Sequence, residues 1–560
     1  MAPRWYVREE RGEVNLASDR ALARTALASD ALGGRQPSVL RIKLTNFMKF
    51  YHRANARLAR LSAHATDHDE LLNRRQLLGK AAVVGSAAAF GGASPTIGAT
   101  RGLFAEGVNE FGSVPAAHPP DFRSRPDLRI PIFALDVNRR GTAPGLIFVS
   151  PYGAPKGQAG AVIADGFGRA VWEYPFGLEI DNFGVQTYQG RPVLAWWQGK
   201  IEDGHGVGSY VIADNSYQSL ARVQAGNGLR GDLHEFLLTS GGTALLTCYR
   251  ITSADLRSVG GPSDGTIQDA CFQEVDVASG AVLLEWHSLG HIDLSESYWP
   301  TGPLWDYVHL NSIDVDVDGN LLVSSRNTHT VYKIDRRSGE IIWRLGGKQS
   351  DFAIGPGARF AWQHDVRIHP GGTMTIFDNE GSPFVAGGQS RALVLRIDEQ
   401  RMTAKLAHEY RHPRALAASS KGSVQLLANG NVFVGWGAEP FISEFSQSGE
   451  LLFDARLGDN YIFSRAFRTP WSGSAPGTPD VATRRGRSHT DVYVSWNGDT
   501  NVTHWTALAG TSPTSLAPAA TSKRTGFETR LSVPSSLTHV AVSGKNSTGA
   551  TISTSRVATI

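Results

Sequence analysis

The chain has 560 residues, 41% of them apolar and 19% charged, with 61 Gly, 27 Pro and only 2 Cys. This composition excludes a mainly disordered chain, a disulfide-built scaffold and a Cys-only zinc site. The formal charge of +3 is concentrated at the start: residues 1–99 carry 15 of the 55 basic and 8 of the 52 acidic groups, so the remainder is slightly acidic.

Arg74 and Arg75 precede Leu77, Leu78 and an Ala/Gly/Val run whose single charge is Lys80. A basic segment, a short apolar segment and a small-residue zone describe a twin-arginine export signal over 48–99, with cleavage expected near Ala93–Ala105. The apolar run is short and rich in Gly and Ala, so no membrane span is expected in the mature protein. Met48 begins a normal basic leader, and residues 1–47 are expected to reflect a start codon called too early. The passenger is therefore expected to work outside the cytoplasm, secreted or at the cell envelope. Cys248 and Cys271 could pair there if their geometry allows it.

Residues 120–470 repeat. A Gly-led apolar strand recurs as GLIFVS (145–150), GRPVLAWW (190–197), GTALLTCY (242–249), GNLLVSSR (319–326), GTMTIFDN (372–379) and GNVFVGWG (430–437). Two further strands follow each copy, and a fourth precedes most of them. Four short strands per unit, six units and Gly-marked turns predict an all-β fold, a six-bladed β-propeller. The stretch 122–135 is expected to be an entry strand that helps close the ring. A Pro/Gly/Ser linker over 471–488 leads to alternating Ser/Thr-rich stretches over 489–560, which read as a small β-sandwich resembling a fibronectin type III module.

The first strand of a propeller blade lines the central channel, with alternate residues facing inward. Eight residues before the turn glycines 242, 372, 319 and 190 stand His234, His364, Asn311 and Asn182. Gly430 gives Gly422 by the same count, and the first blade has no clear match. His309 lies two residues before Asn311, and Arg326 ends the next strand of the same blade. A neutral imidazole is a nucleophile, while Arg, Asn and further His supply donors to an oxygen-rich group that gains charge. No acidic pair occupies these positions, which argues against glycoside hydrolysis. No phosphate-binding Gly loop is present, so a nucleotide donor is not indicated. The set suits transfer of a small oxygenated anionic group through a covalent His.

The segments LHEFLLTSGGTALLT, VHLNSIDVDVDGNLLVSSRNTHTVYKIDRRSGEIIWRLGG and FAWQHDVRIHPGGTMTIFDN resemble the arylsulfotransferase family, propeller enzymes that use no nucleotide donor. The resemblance covers roughly 120–470. It implies ping-pong transfer of a sulfuryl group from an aryl sulfate to a phenol, without cofactor or metal. It further implies that His364 becomes sulfated, that His309, Asn311 and Arg326 hold the sulfuryl oxygens, and that His234 assists or handles the phenolic proton. Trp362, Trp305 and Trp436 are candidates to stack on the aryl ring, with Asn182 as a further substrate contact. Relative to the best-understood members, the chain is expected to lack their separate N-terminal β-domain used in dimer contacts and to carry the C-terminal sandwich instead. Its oligomeric state is left open. Two rivals remain at this stage: a non-catalytic extracellular binding propeller, and a metal-dependent propeller hydrolase using the His cluster. DVDVDGN (314–320) lacks the terminal Glu of a calcium loop. Nucleic acid is not an expected partner, since the mature chain has no Lys/Arg cluster beyond TRRGR (483–487).

Overall fold

The repeated Gly-led strands are rich in Val, Ile, Leu and Phe on both faces, the pattern of a strand covered on two sides. In a computed structural model they are indeed central strands: Leu321–Ser325 and its neighbour Thr330–Ile334 are buried at every position. The structure describes residues 121–560 apart from 132, 154–159, 176–177, 203, 382–387 and 459–460. The export signal and the start-codon expectation lie outside the described residues.

The fold is a six-bladed propeller of antiparallel sheets followed by a two-sheet sandwich. From the channel outward, blade 2 is Glu179–Tyr188, Arg191–Glu202, His205–Ala213 and Ser219–Val223, and blade 3 is Gly231–Leu238, Thr243–Ala254, Gly265–Asp276 and Val282–His287. Blade 4 is Leu310–Val315, Leu321–Ser325, Thr330–Ile334 and Ile341–Gly346. Blade 5 is His364–His369, Thr373–Asp378, Arg391–Asp398 and Thr403–Arg411, with a short parallel strand Ala353–Ile354 on its outer edge. Blade 6 runs through Ser423–Leu426, Val432–Gly435, Phe441–Phe445 and Leu451–Leu457.

The ring closes twice. The inner strand of blade 1 is Ala466–Thr469, from the far end of the propeller, paired with Leu146–Val149 and followed outward by Gly160–Ala164 and Ala170–Pro175. The entry segment supplies Phe133–Asn138 as the outermost strand of blade 6, against Leu451–Leu457. Closure from both ends removes the free edges that a ring cut at one point would leave. Apolar clusters fill the gaps between blades, with Trp286, Tyr307 and Ile313 between blades 3 and 4, and Phe377, Trp436 and Phe441 between blades 5 and 6.

The sandwich begins earlier than its Ser/Thr-rich composition indicates. Asp480–Arg485 pairs with His489–Ser495, which pairs with Glu528–Pro534, so TRRGR is the end of a strand and its turn rather than linker. Arg484 meets Asp491 across that hairpin at 2.7 Å. The second sheet is built on His504–Ser512 and His539–Lys545, and Val492, Trp505, Leu531 and Val542 pack between the two. The sandwich sits directly on blades 1 and 2: Gly498 donates its N–H to the Val171 carbonyl at 3.0 Å, and the Tyr217 hydroxyl donates to the Gly498 carbonyl at 2.6 Å.

Two other sequence features acquire a place. Cys248 and Cys271 stand directly opposite on neighbouring strands as buried free thiols, their Sγ atoms 2.9 Å apart. The carboxylates of DVDVDGN hold a lysine: Lys333 Nζ lies 2.7 Å from Asp316 and 2.8 Å from Asp318. Among the described residues no helix is long and apolar enough to cross a membrane.

Candidate active site

In blades 2 to 5, where the inner strand enters the channel, its ladder breaks. The register shifts between Asp181 and Gly184, between Leu310 and Ser312, and between His364 and Arg367, with a matching shift opposite the His234 segment. Asn182, His309 and Asp365 take positive φ at these points. A bulge re-aims the side chains beside it, and here the same irregularity in successive blades turns polar groups toward the axis. In blade 6 the corresponding residue is Gly422, at φ 111°, and a Cβ there would lie 2.3 Å from the Phe377 ring. Steric exclusion by Phe377 explains why that blade offers no side chain at this position.

Blade 1, which has no match by the turn-glycine count, supplies the most connected channel residue. Arg465 precedes the closing strand of blade 1. Its guanidinium donates to Asn182 Oδ1 at 2.8 Å, to Glu235 Oε1 at 2.9 Å, and to the carbonyls of His234 and Asn311 at 3.0 Å each. Arg367 reaches Glu235 at 2.7 Å and Asp365 at 2.9 Å. Burial opposes the Glu235 charge, but the two arginines outweigh it and hold this carboxyl down to about 2. Asn182 is thus part of the buried scaffold, with its amide on Arg465 and Glu235. Counting strands from the chain end instead of from turn glycines would have found Arg465. The acids directly after His234 and His364, Glu235 and Asp365, were the other available signal.

On this scaffold His234, Asn311 and His364 line one small axial cavity of about 20 Å³, room for a single water. His364 has a determined tautomer. Asn379 donates its amide to the carbonyls of Ala418 and Lys421, so its Oδ1 accepts the Nδ1–H of His364 at 2.8 Å. The His364 lone pair is therefore on Nε2, where it accepts the Lys421 N–H at 3.1 Å. Burial and the nearby Arg326 charge keep His364 well below the usual imidazole range, and hence neutral. Asn311 donates to the Gln363 carbonyl at 2.6 Å, while its Oδ1 is buried without a partner.

His234 and His309 meet with ring centroids 4.7 Å apart. Each is held through Nδ1 by a carboxylate, His234 by Asp232 at 2.6 Å and His309 by Asp306 at 2.5 Å. Burial and Arg326 push His309 well below its ordinary value, so it is neutral. Its carbonyl accepts the Arg326 N–H at 3.0 Å, which locks Arg326 beside it.

His309 and Arg326 face a second, far larger cavity of about 850 Å³, with His205, Tyr249, Trp299 and Asp306 in its wall. The Arg326 guanidinium lies 5.2 Å from the Trp299 ring centroid, over its face. His205, Asp306 and His309 offer ligand atoms within 4.8 Å of one another, a spacing that a divalent cation could use. The buried Arg326 cation, 4.0 Å from Asp306, works against a second positive charge there.

None of the three tryptophans chosen from sequence lines either cavity. Trp436 has no exposed surface, donates to Ser443 at 2.9 Å and belongs to the packing between blades 5 and 6. Trp305 is buried and donates to the Trp299 carbonyl at 3.0 Å. Trp362 touches Trp299 edge-on at 5.8 Å, one ring behind the wall. Trp299 is the tryptophan of the cavity. It stands in an irregular stretch between blades, where alternation along a strand carries no information.

Residues 184–458 match the arylsulfotransferase (ASST) family model. The matched span runs from blade 2 into blade 6 and contains His205, His234, His309, Asn311, Arg326 and His364, while Asn182 and Arg465 lie outside it. No curated protein matches the chain. Similar solved structures include a Bacteroides caccae protein of unknown function, at 13% identity over 58% of this chain and 98% of that one, with a TM-score of 0.36. A Pseudomonas aeruginosa periplasmic gluconolactonase has 12% identity over 74% and 99%, TM-score 0.33. A virginiamycin B lyase of Staphylococcus aureus has 10% identity over 66% and 97%, TM-score 0.28.

Proposed function

We propose that this protein is an exported arylsulfotransferase that moves a sulfuryl group from an aryl sulfate to a phenol through a sulfated His364. The observation that carries this reading is the state of His364: buried, neutral, with Nδ1–H fixed by Asn379 and the lone pair on Nε2. That is the form of imidazole that attacks. Attack requires Nε2 to release the Lys421 N–H, which then becomes a donor beside the incoming sulfuryl oxygens.

In the first half-reaction the Nε2–S bond forms as the S–O bond to the aryl group breaks, and the aryl oxygen leaves as phenolate, to be protonated. In the second, a phenolic oxygen attacks sulfur and Nε2 departs. Arg326 offsets charge on the sulfuryl oxygens, as cationic clamps do in phosphoryl transfer, and neutral His309 holds Arg326 in place through its carbonyl. Asn311 contributes once its amide leaves the Gln363 carbonyl. His234, its Nδ1–H held by Asp232, assists from the axial side. The family match over 184–458 supports the reaction class, and the leader around Arg74–Arg75 supports export.

Intact-mass measurement after exposure to an aryl sulfate tests the reading. The expected result is a gain of one SO3 per chain, lost on adding a phenol and absent in His364→Ala. Sulfation that persists in His364→Ala would assign the nucleophile elsewhere.

A further inference from the structure

The phenolic proton needs a carrier, and the two cavities differ in what they can hold. The axial cavity of about 20 Å³ accommodates a water but no aromatic ring, while the cavity of about 850 Å³ accommodates an aryl group with ease. The departing or attacking phenolic oxygen must therefore point out of the larger cavity, whose wall contains His205 and His309 but neither His234 nor His364.

His309 is poorly suited to give up a proton. Its Nδ1–H is bound to Asp306 at 2.5 Å, and Arg326 beside it suppresses its charged form. His205 begins the third strand of blade 2, and neither of its ring nitrogens has a hydrogen-bond partner although the residue is buried. Its Nε2 lies 3.4 Å from Asp306 Oδ2, within reach of charge pairing. The groups facing it come from several elements: Asp306 and His309 ahead of blade 4, Arg326 after its second strand, His234 and Asp232 on the inner strand of blade 3, and Tyr249, whose ring centroid is 4.2 Å away. Burial opposes a charge on His205, and so does Arg326, but Asp306 and Asp232 outweigh both and hold the imidazole above its ordinary value.

We propose that His205 is the acid–base residue of the transfer, exchanging the phenolic proton from the wall of the larger cavity, with Asp306 as its counter-charge. The proposal rests on the sulfuryl-transfer reading and adds a residue to it. As the S–O bond to the aryl group breaks, the departing oxygen takes a proton from the imidazolium ring of His205, which becomes neutral. In the return half-reaction neutral His205 takes the proton of the acceptor phenol while its oxygen bonds to sulfur and His364 leaves. Protons and charge are restored after one cycle, with no further reactant.

A proton donor matters in proportion to how basic the leaving oxygen is. The test compares His205→Asn and His205→Gln with wild type on two donors, phenyl sulfate, whose phenol ionises at about 10 as tyrosine does, and 4-nitrophenyl sulfate, whose phenol is far more acidic. The expected loss for phenyl sulfate is about 10²–10⁴-fold, with a much smaller loss for 4-nitrophenyl sulfate. Equal losses on both donors overturn the proposal, as does a donor-dependent loss that appears in His234→Asn instead. Stoichiometric metal in the purified protein with chelator-sensitive transfer from both donors also overturns it, because His205 would then be a ligand. Should neither variant melt cooperatively, the wild-type pH profile decides. Phenyl sulfate turnover is expected to fall at alkaline pH where 4-nitrophenyl sulfate turnover does not, and a shared profile overturns the assignment. Wild type that transfers from neither donor fails the sulfuryl-transfer reading itself, an outcome distinct from all of these.

Discussion

Glu235 in the channel and Glu173 at the seam between blade 1 and the sandwich are both buried glutamates on β-strands. Glu235 receives Arg465 and Arg367, and its carboxyl is held down to about 2. The backbone of Glu173 is paired with Asn497, but both of its carboxylate oxygens lack a hydrogen-bond partner. Burial, with the Asp127 charge, raises Glu173 to about 8. Equal burial thus gives opposite behaviour, and the difference is a cation bonded to the carboxylate, since Arg125 lowers Glu173 only by its charge and without a hydrogen bond. The channel is a balanced array of charges built to stay ionised. The seam holds a carboxyl that the fold keeps protonated.

The largest expected effect is on chemistry in the channel. His364→Ala removes the proposed covalent group and is expected to lower transfer from a chromogenic aryl sulfate by about 10⁴-fold or more, while melting stays cooperative. Near-normal turnover in that variant would remove His364 from the mechanism.

The next effect is on the charge array itself. Arg465 also lies 3.3 Å from Asp365, so Arg465→Met leaves Glu235 and Asp365 short of a buried partner, and breaking such a pair costs about 3–5 kcal/mol. Chemical denaturation at neutral pH should show a loss of that size or an unfolded protein. A loss below about 1 kcal/mol would mean that the array is as well solvated as a surface pair.

At the seam the sign reverses. The folded-state pKa of Glu173 is raised, so wild-type stability falls as pH rises from about 4.5 toward 8, while the unfolded chain ionises freely and the folded one does not. Glu173→Gln is expected to match wild type near pH 4 and to exceed it by about 2–4 kcal/mol at pH 8–9. In the channel the folded-state pKa of Glu235 is depressed. Its contribution is therefore present at neutral pH and is lost as pH falls from its unfolded value toward 2. Denaturation midpoints across pH for wild type, Glu173→Gln and Glu235→Gln separate the two. An unchanged alkaline limb in Glu173→Gln would show that water reaches this carboxyl.

The smallest effect separates the cavity wall from the blade core. Trp299→Ala is expected to raise KM for an aryl sulfate about 5- to 10-fold, the worth of one aromatic contact, with a modest change in stability. Trp436→Leu should lower the melting temperature and leave KM unchanged. The reverse outcome would restore Trp436 to the site and remove Trp299.

Much of the propeller was legible because each blade repeats the same local chemistry. A Gly turn, an apolar central strand and a polar channel end recur at similar spacing, and His234, Asn311 and His364 follow from that register. Arg465 was not legible by the same count because its strand closes blade 1 from the other end of the chain. His205 and Trp299 escaped for a related reason. One begins a third strand and the other stands in an irregular stretch, so neither follows the inner-strand alternation on which the count relied. Trp436 was misjudged because a tryptophan on a blade strand has two faces to occupy, and packing between blades 5 and 6 takes it.

The amino-acid order by itself determined the strand pattern, the blade number and the positions of His234, His309 and His364, because alternation and turn chemistry act over a few residues at a time. Only the tertiary structure decided which carboxylate each histidine meets, which arginine neutralises Glu235, and which cavity can hold an aryl ring. Those are contacts between residues as far apart as Asn182 and Arg465, and they exist only once closure brings the two ends of the ring together.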